Sequence, residues 1–180
     1  KPALLLQIGR DSLELGNFHA AIYQGKTAIL LLSNPADSLE RAQQIEAWDM
    51  VGRAYEKLFE FDSAETCRKT VLFLMTGLYS ENSLEVADYL NRFAGFYAGK
   101  SCANTAFDLR FQALRILENR QDTSTPAVRL LTAKVCNNLA ALYETQGEMA
   151  LALQFQEKAL NHLNARADSS LRCILPVHYA

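Results

Sequence analysis

Proline and glycine are scarce in this chain, at four and eight of 180 residues. Proline stops a helix by removing an N–H, and glycine weakens one through its backbone freedom. Their scarcity excludes a chain of many tight turns and favours long helices. No stretch reaches the roughly 18 uninterrupted apolar residues of a membrane helix, so no membrane partner is expected. An excess of either charge is lacking too. Eighteen Lys and Arg stand against 20 Asp and Glu, for a net charge of −2. Without a basic run there is no electrostatic footprint for nucleic acid. The four cysteines, Cys67, Cys102, Cys136 and Cys173, are scattered. They form no CxxC pair, and no nearby histidine completes a zinc pattern. They read as small apolar core residues in a reducing, cytoplasmic compartment; two disulfides in a secreted protein would fit the helical pattern less well. The first residue is Lys1 rather than methionine, which predicts a piece of a larger protein.

Chemistry-bearing constellations are also missing. His19, His162 and His178 lie far apart, and no Ser/His/Asp or Cys/His grouping is built on them. The segment "AAIYQGKT" approaches a phosphate-cradling loop at Gly25-Lys26-Thr27, but Ala20 stands in place of its first glycine. No strand precedes it, so a nucleotide site is not expected. The sequence therefore predicts neither an enzyme nor a resident cofactor or metal.

What the chain does have is helical apolar spacing, with 49% hydrophobic residues. In "WDMVGRAYEKL", Trp48, Val51, Gly52 and Tyr55 fall on one helical face. A glycine inside a helix costs about 1 kcal/mol relative to alanine, so Gly52 calls for the close approach of a second helix. Small residues recur at Gly9, Gly52, Ala94 and Ala140, at intervals of 43, 42 and 46. Twelve positions after each comes Ala21, Ala64, Ala106 or Ala152, and seven further on Ala28, Val71, Ala113 or Ala159. Spacing is constant within units and variable between them, as independent structural units joined by loops require.

Each unit reads as two facing helices. Gly16 and Gly147 suit the left-handed end of a first helix. Ser101 holds that place in the third unit, where "AGK" just ahead makes the turn depart from the others. Between units, "SNPAD", "YSENS" and "DTSTP" supply caps and proline.

These residues resemble the tetratricopeptide repeat family, whose pattern W-x2-L-G-x2-Y, followed by alanine, is met by Trp48, Val51, Gly52, Tyr55 and Ala64. Less complete copies are Leu90-Phe93-Ala94-Tyr97-Ala106, Cys136-Leu139-Ala140-Tyr143-Ala152 and Leu5-Ile8-Gly9-Ala21, the last with Ser12 in place of tyrosine. The period exceeds the family's usual 34 residues. With "CNNLAALYETQGEMALAL", it is similar to the long-repeat branch typified by kinesin light chains. The resemblance implies an all-α solenoid of about four helix-turn-helix repeats in a right-handed superhelix. The repeats fall at about residues 2–33, 37–76, 81–118 and 125–165, in a single domain spanning 1–180. Residues 168–180 are expected to cap the last face or to begin a fifth repeat.

It also implies a protein-interaction module, an adaptor or scaffold holding a peptide segment of a partner in a concave groove lined by first helices. The alternative is a regulatory or sensory domain that controls an attached effector through intramolecular contacts. Counted from the landmarks, the inward positions not needed for packing carry Arg10, then Asp49, Arg53 and Glu56, then Asp88 and Asn91, then Lys134, Asn137 and Glu144. Asn91 and Asn137 stand in register, and an amide both donates to and accepts from a peptide backbone. In the related long-repeat proteins, asparagines here are associated with holding peptides; the plain alternative is that both merely cap or solvate the helix. Arg10 and Leu6 stand where the carboxylate clamp of chaperone-binding members has asparagine and lysine, so that clamp is not implied.

Overall fold

The computed structural model describes residues 1–164 and folds them as helices joined by short loops. They are α1 (Pro2–Glu14), α2 (Phe18–Leu31), α3 (Ser38–Lys57), α4 (Phe61–Tyr79), α5 (Leu84–Gly99), α6 (Ala103–Glu118), α7 (Pro126–Thr145) and α8 (Met149–Asn164). The expected capping segment at 168–180 lies outside the described residues, as do Cys173, His178 and position 165.

Every first helix ends in the same way. Seven positions after the landmarks stand Gly16, Phe59, Ser101 and Gly147, all with positive φ, at 76°, 61°, 59° and 78°. The residue after each donates its N–H to the carbonyl five residues back: Asn17 to Ser12, Glu60 to Tyr55, Cys102 to Tyr97, and Glu148 to Tyr143. That bond satisfies an orphaned helix-end carbonyl. The third turn, expected to depart because of Ser101, is built like the rest. Two of the offered caps form, while Thr125 of "DTSTP" makes no side-chain cap bond and α7 opens on Pro126 instead. Asp37 accepts from the Glu40 N–H at 2.8 Å, and Ser83 from that of Val86 at 3.2 Å.

The chain divides into two compact units, Lys1–Glu81 and Asn82–Ala180. In the first, α2 packs on both α1 and α3, α4 packs on α3, and α1 reaches α3. Leu6, Ala21, Ala28, Ala47, Met50, Val51, Ala54, Ala64 and Val71 form its buried interior. The small residues are where the helices come closest. A Cβ added to Gly52 would stand 3.0 Å from the Cβ of Cys67, and one on Gly25 would run into the Val51 side chain. Gly52 is thus explained by the approach of α4. The "QGK" of "AAIYQGKT" lies within α2, its Gly25 pressed against α3. In the second unit the described residues are built alike, with α6 against both α5 and α7, and α8 against α7. Its interior carries more aromatic bulk, including Tyr89, Phe93, Phe96 and Tyr97 from α5.

Candidate functional site

Each unit places its first helices side by side and lays its second helices over them. The residues expected to meet a ligand are all on first helices, but they are not equally available. Arg10 pairs with Glu46, linking α1 to α3, and also donates to the Gln7 side chain at 2.6 Å. Asp49 is half-buried. Glu56 pairs with Arg68 of α4, and Glu144 accepts from Gln156 of α8 at 2.6 Å. Glu56, partly exposed, and Glu144, exposed, thus each bond to the second helix of their own pair. Asp88 and Arg92 form a pair at 3.1 Å one helical turn apart. Arg53 and Lys134 are exposed, and Asn137 is half-buried.

The two asparagines in register behave differently. Asn91 is buried, at 8% exposure, and its Oδ1 accepts from Nδ2 of Asn138 at 3.0 Å. The Asn138 carbonyl in turn accepts from Nη1 of Arg110 at 2.6 Å. Three helices, α5, α6 and α7, are thereby tied through one asparagine. Asn91 is a strut between neighbouring first helices, so its reading as an open grip, or as a mere surface cap, is corrected.

Arg68, Arg110 and Gln156 share one place, four residues after the second-helix alanine. Its partner lies four residues after the first-helix landmark: Glu56, Ala98 and Glu144. Where a carboxylate is present, the second-helix side chain bonds it. Where Ala98 replaces it, Arg110 turns to a backbone carbonyl instead. Burial lowers the Arg110 pKa from its ordinary value, and its Nε has no hydrogen-bond partner among the described residues.

Opposite the first-helix face, an apolar cleft of about 550 Å³ opens between α2 and α4. Trp48, Val51 and Tyr55 of α3 floor it, with Lys26, Ile29 and Leu30 on one wall and Asp62, Ser63, Thr66 and Cys67 on the other. Trp48 is thus only half-buried, where helical spacing assigned the aromatics to the core. Cys67, Cys102 and Cys136 are free thiols. Burial pushes the Cys67 and Cys136 thiols up to about 11, so both are inert. Cys102 is exposed at the start of α6, which corrects its reading as a core residue.

Residues 133–161, covering most of α7 and α8, match the family model of the tetratricopeptide repeat. The fold is a tetratricopeptide-type one. BtubC (BKLC) from P. vanneervenii superposes with a TM-score of 0.74 at 19% identity, over 93% of this chain and 65% of that one. This chain therefore spans less than two thirds of that structure's length. A kinesin light chain-like protein of Podosopora anserina with nearly identical TPR-like repeats gives 0.70 at 14% identity, covering 94% and 79%. MamA gives 0.63 at 18% identity, covering 91% and 79%. At such identities the likeness is one of fold. No curated protein matches the chain by sequence.

The tetratricopeptide landmarks explain what the sequence hid. Tyr55, Tyr97 and Tyr143 mark the helix ends whose carbonyls the turn bonds satisfy. Asn138, beside the chosen Asn137, is the residue that bridges to Asn91. The doubled asparagine of "CNNLAALY" was its only trace. The cleft residues were passed over because helical spacing alone assigns aromatics to a core. Aligning Tyr55 with Tyr143 would have flagged them, since Phe155 of the fourth repeat becomes Cys67 in the second.

Proposed function

We propose that this chain is a peptide-binding adaptor module whose first helices receive an extended segment of a partner protein. The tetratricopeptide-type fold carries a protein-interaction or scaffold role in general. The narrower reading rests on one observation. Arg53 on a first helix of one unit and Lys134 on a first helix of the other are exposed with no ion-pair partner among the described residues, and the half-buried Asn137 follows Lys134 by three positions on α7. Packing does not require them, and a long cation on a rigid helix can pair with carboxylates of an extended ligand at little conformational cost to the fold. Asn137 adds amide recognition that is independent of the ligand's sequence. Arg10 in the first unit and Asp88 in the second, each in an exposed pair, supply further exchangeable charge on first helices. We place the protein in the cytoplasm, where the free thiols would stay reduced. Among the described residues no helix is long and apolar enough to cross a membrane.

The test is affinity capture from cell extract with wild-type protein and an Arg53→Glu/Lys134→Glu/Asn137→Ala variant, both verified as folded by circular dichroism. The asparagine change alone removes a neutral hydrogen bond of about 0.5–1.5 kcal/mol. The two reversals reject an acidic ligand more strongly than they affect folding, because exposed charges contribute little stability. Loss of captured partners is expected. An undiminished set would place binding elsewhere.

A further inference from the structure

The cleft between α2 and α4 has a filled counterpart within the same chain. Counting from the landmarks, Tyr55 corresponds to Tyr143, Cys67 to Phe155 and Lys26 to Phe111. Around Tyr143 the space is packed with rings. Phe155 stacks on it at 5.5 Å between centroids, Phe107 meets it at 4.7 Å, and Phe111 stands edge-on to Phe155 at 6.0 Å. Around Tyr55 all three rings are gone, and Ile22 stands at the place of Phe107. Cys67 is too short to cover the tyrosine, and in place of the Phe111 ring stands the Lys26 ammonium, 5.4 Å from the Tyr55 centroid. The result is the open space of about 550 Å³. Its size is in the ordinary range of small-molecule sites, and so is its make-up of aromatic floor, aliphatic wall and few polar groups.

We propose that this cleft binds a small aromatic carboxylate, its ring lying on Tyr55 where Phe155 lies on Tyr143, and its carboxylate paired with Lys26. The ring is called for by the chain's own precedent, an aromatic stack at the same register. The anionic group follows from charge: Lys26 is the cation among the cleft-lining residues, and its hydrogen bond to Tyr55 favours the protonated form. Asp62 is the one acidic lining residue and belongs to the opposite wall, beside Ser63 and Thr66. It disfavours an anion there and so orients the ligand's charge towards α2. Leu30, 75% exposed, extends the apolar wall outward for the rest of the ligand. This site lies on the second-helix side and stands or falls independently of peptide binding along the first helices.

Trp48 is the chain's one tryptophan and lines the cleft, so its fluorescence is a probe of this site. The experiment titrates the full chain with 3-phenylpropionate and, separately, with its neutral isostere 3-phenylpropanamide. A saturable change in Trp48 emission is expected with the carboxylate, and binding at least about tenfold weaker with the amide. Lys26→Ala should abolish that preference. Cys67→Phe, which copies Phe155 into the cleft, should remove both responses. Lys26→Phe copies Phe111 at an exposed position and serves as the filling variant should Cys67→Phe fail to fold. Several results would overturn the proposal: no saturable change with the carboxylate, equal affinity for acid and amide, or a response that survives in a folded filling variant. Sedimentation at the titration concentrations adds one more. A dimer whose formation alone shifts Trp48 emission would make a second copy of the chain the occupant, which also contradicts the proposal.

Discussion

Phe59 holds a backbone conformation that glycine holds at two of the four equivalent turns, with φ at 61°. A left-handed residue bearing a Cβ costs roughly 1–2 kcal/mol relative to its right-handed state. The ring recovers little of this, since it is 78% exposed and meets Phe61 only edge-on at 6.0 Å. Phe59→Gly should therefore raise stability by about 1 kcal/mol, read as a higher midpoint of chemical denaturation. A lower midpoint would show that the Phe59–Phe61 contact outweighs the backbone strain. Gly25 predicts the opposite of the usual propensity rule. Alanine normally improves a helix by about 1 kcal/mol, but here its Cβ would meet Val51 in a well-packed crossing. Gly25→Ala should destabilise by about 1–3 kcal/mol, as overpacking does. A neutral or stabilising result would mean that α2 can move away from α3 freely. The need for small residues at Gly52 was legible in the sequence, because the spacing from Gly52 to Ala64 recurs between the landmark and second-helix alanine of every unit. Phe59 was not, because nothing in its local sequence marks a left-handed position that glycine does not occupy.

Among the helices, the interesting variation lies at a single repeated place on the second of each pair. Arg68 and Gln156 find first-helix carboxylates, whereas Arg110 faces Ala98 and bonds the Asn138 carbonyl. A buried guanidinium with a lowered pKa and one unpartnered nitrogen carries a desolvation penalty that its bond offsets only in part. Arg110→Leu should accordingly leave stability unchanged or raise it by about 1 kcal/mol. Asn91→Ala should lower it, since Asn138 Nδ2 then loses its acceptor between α5 and α7, a deficit of about 1–3 kcal/mol for a buried polar group. Denaturation of the two variants side by side checks both, and a larger loss for Arg110→Leu would reverse the assignment. Helix-pair phase was legible from the landmark alanines, since a period of small residues survives any exchange of surface residues. Polar partners were not, because a carboxylate at Glu56 or Glu144 looks the same in sequence whether it faces solvent or the neighbouring helix. The residue across from it on the second helix decides the matter, and that residue changes from repeat to repeat.

At the scale of the whole molecule, both units apply one rule: first helices side by side, second helices laid over them, with small residues wherever backbones meet. That rule was in the sequence because each repeat restates it. The candidate binding surface was legible only in part. Arg53 and Lys134 are exposed first-helix positions, Asn91 is buried, and Glu56 and Glu144 keep exposure while bonding their second helices, in contacts that vary from repeat to repeat. The central claim is that partners engage the first helices. It is tested most directly by placing a photo-crosslinking amino acid singly at Arg53 and Lys134 on first helices, and at Lys69 and Glu157 on second helices, in the full chain in cell extract. The account predicts covalent partner adducts from Arg53 and Lys134 and none above background from Lys69 or Glu157. Adducts confined to Lys69 and Glu157 would contradict it.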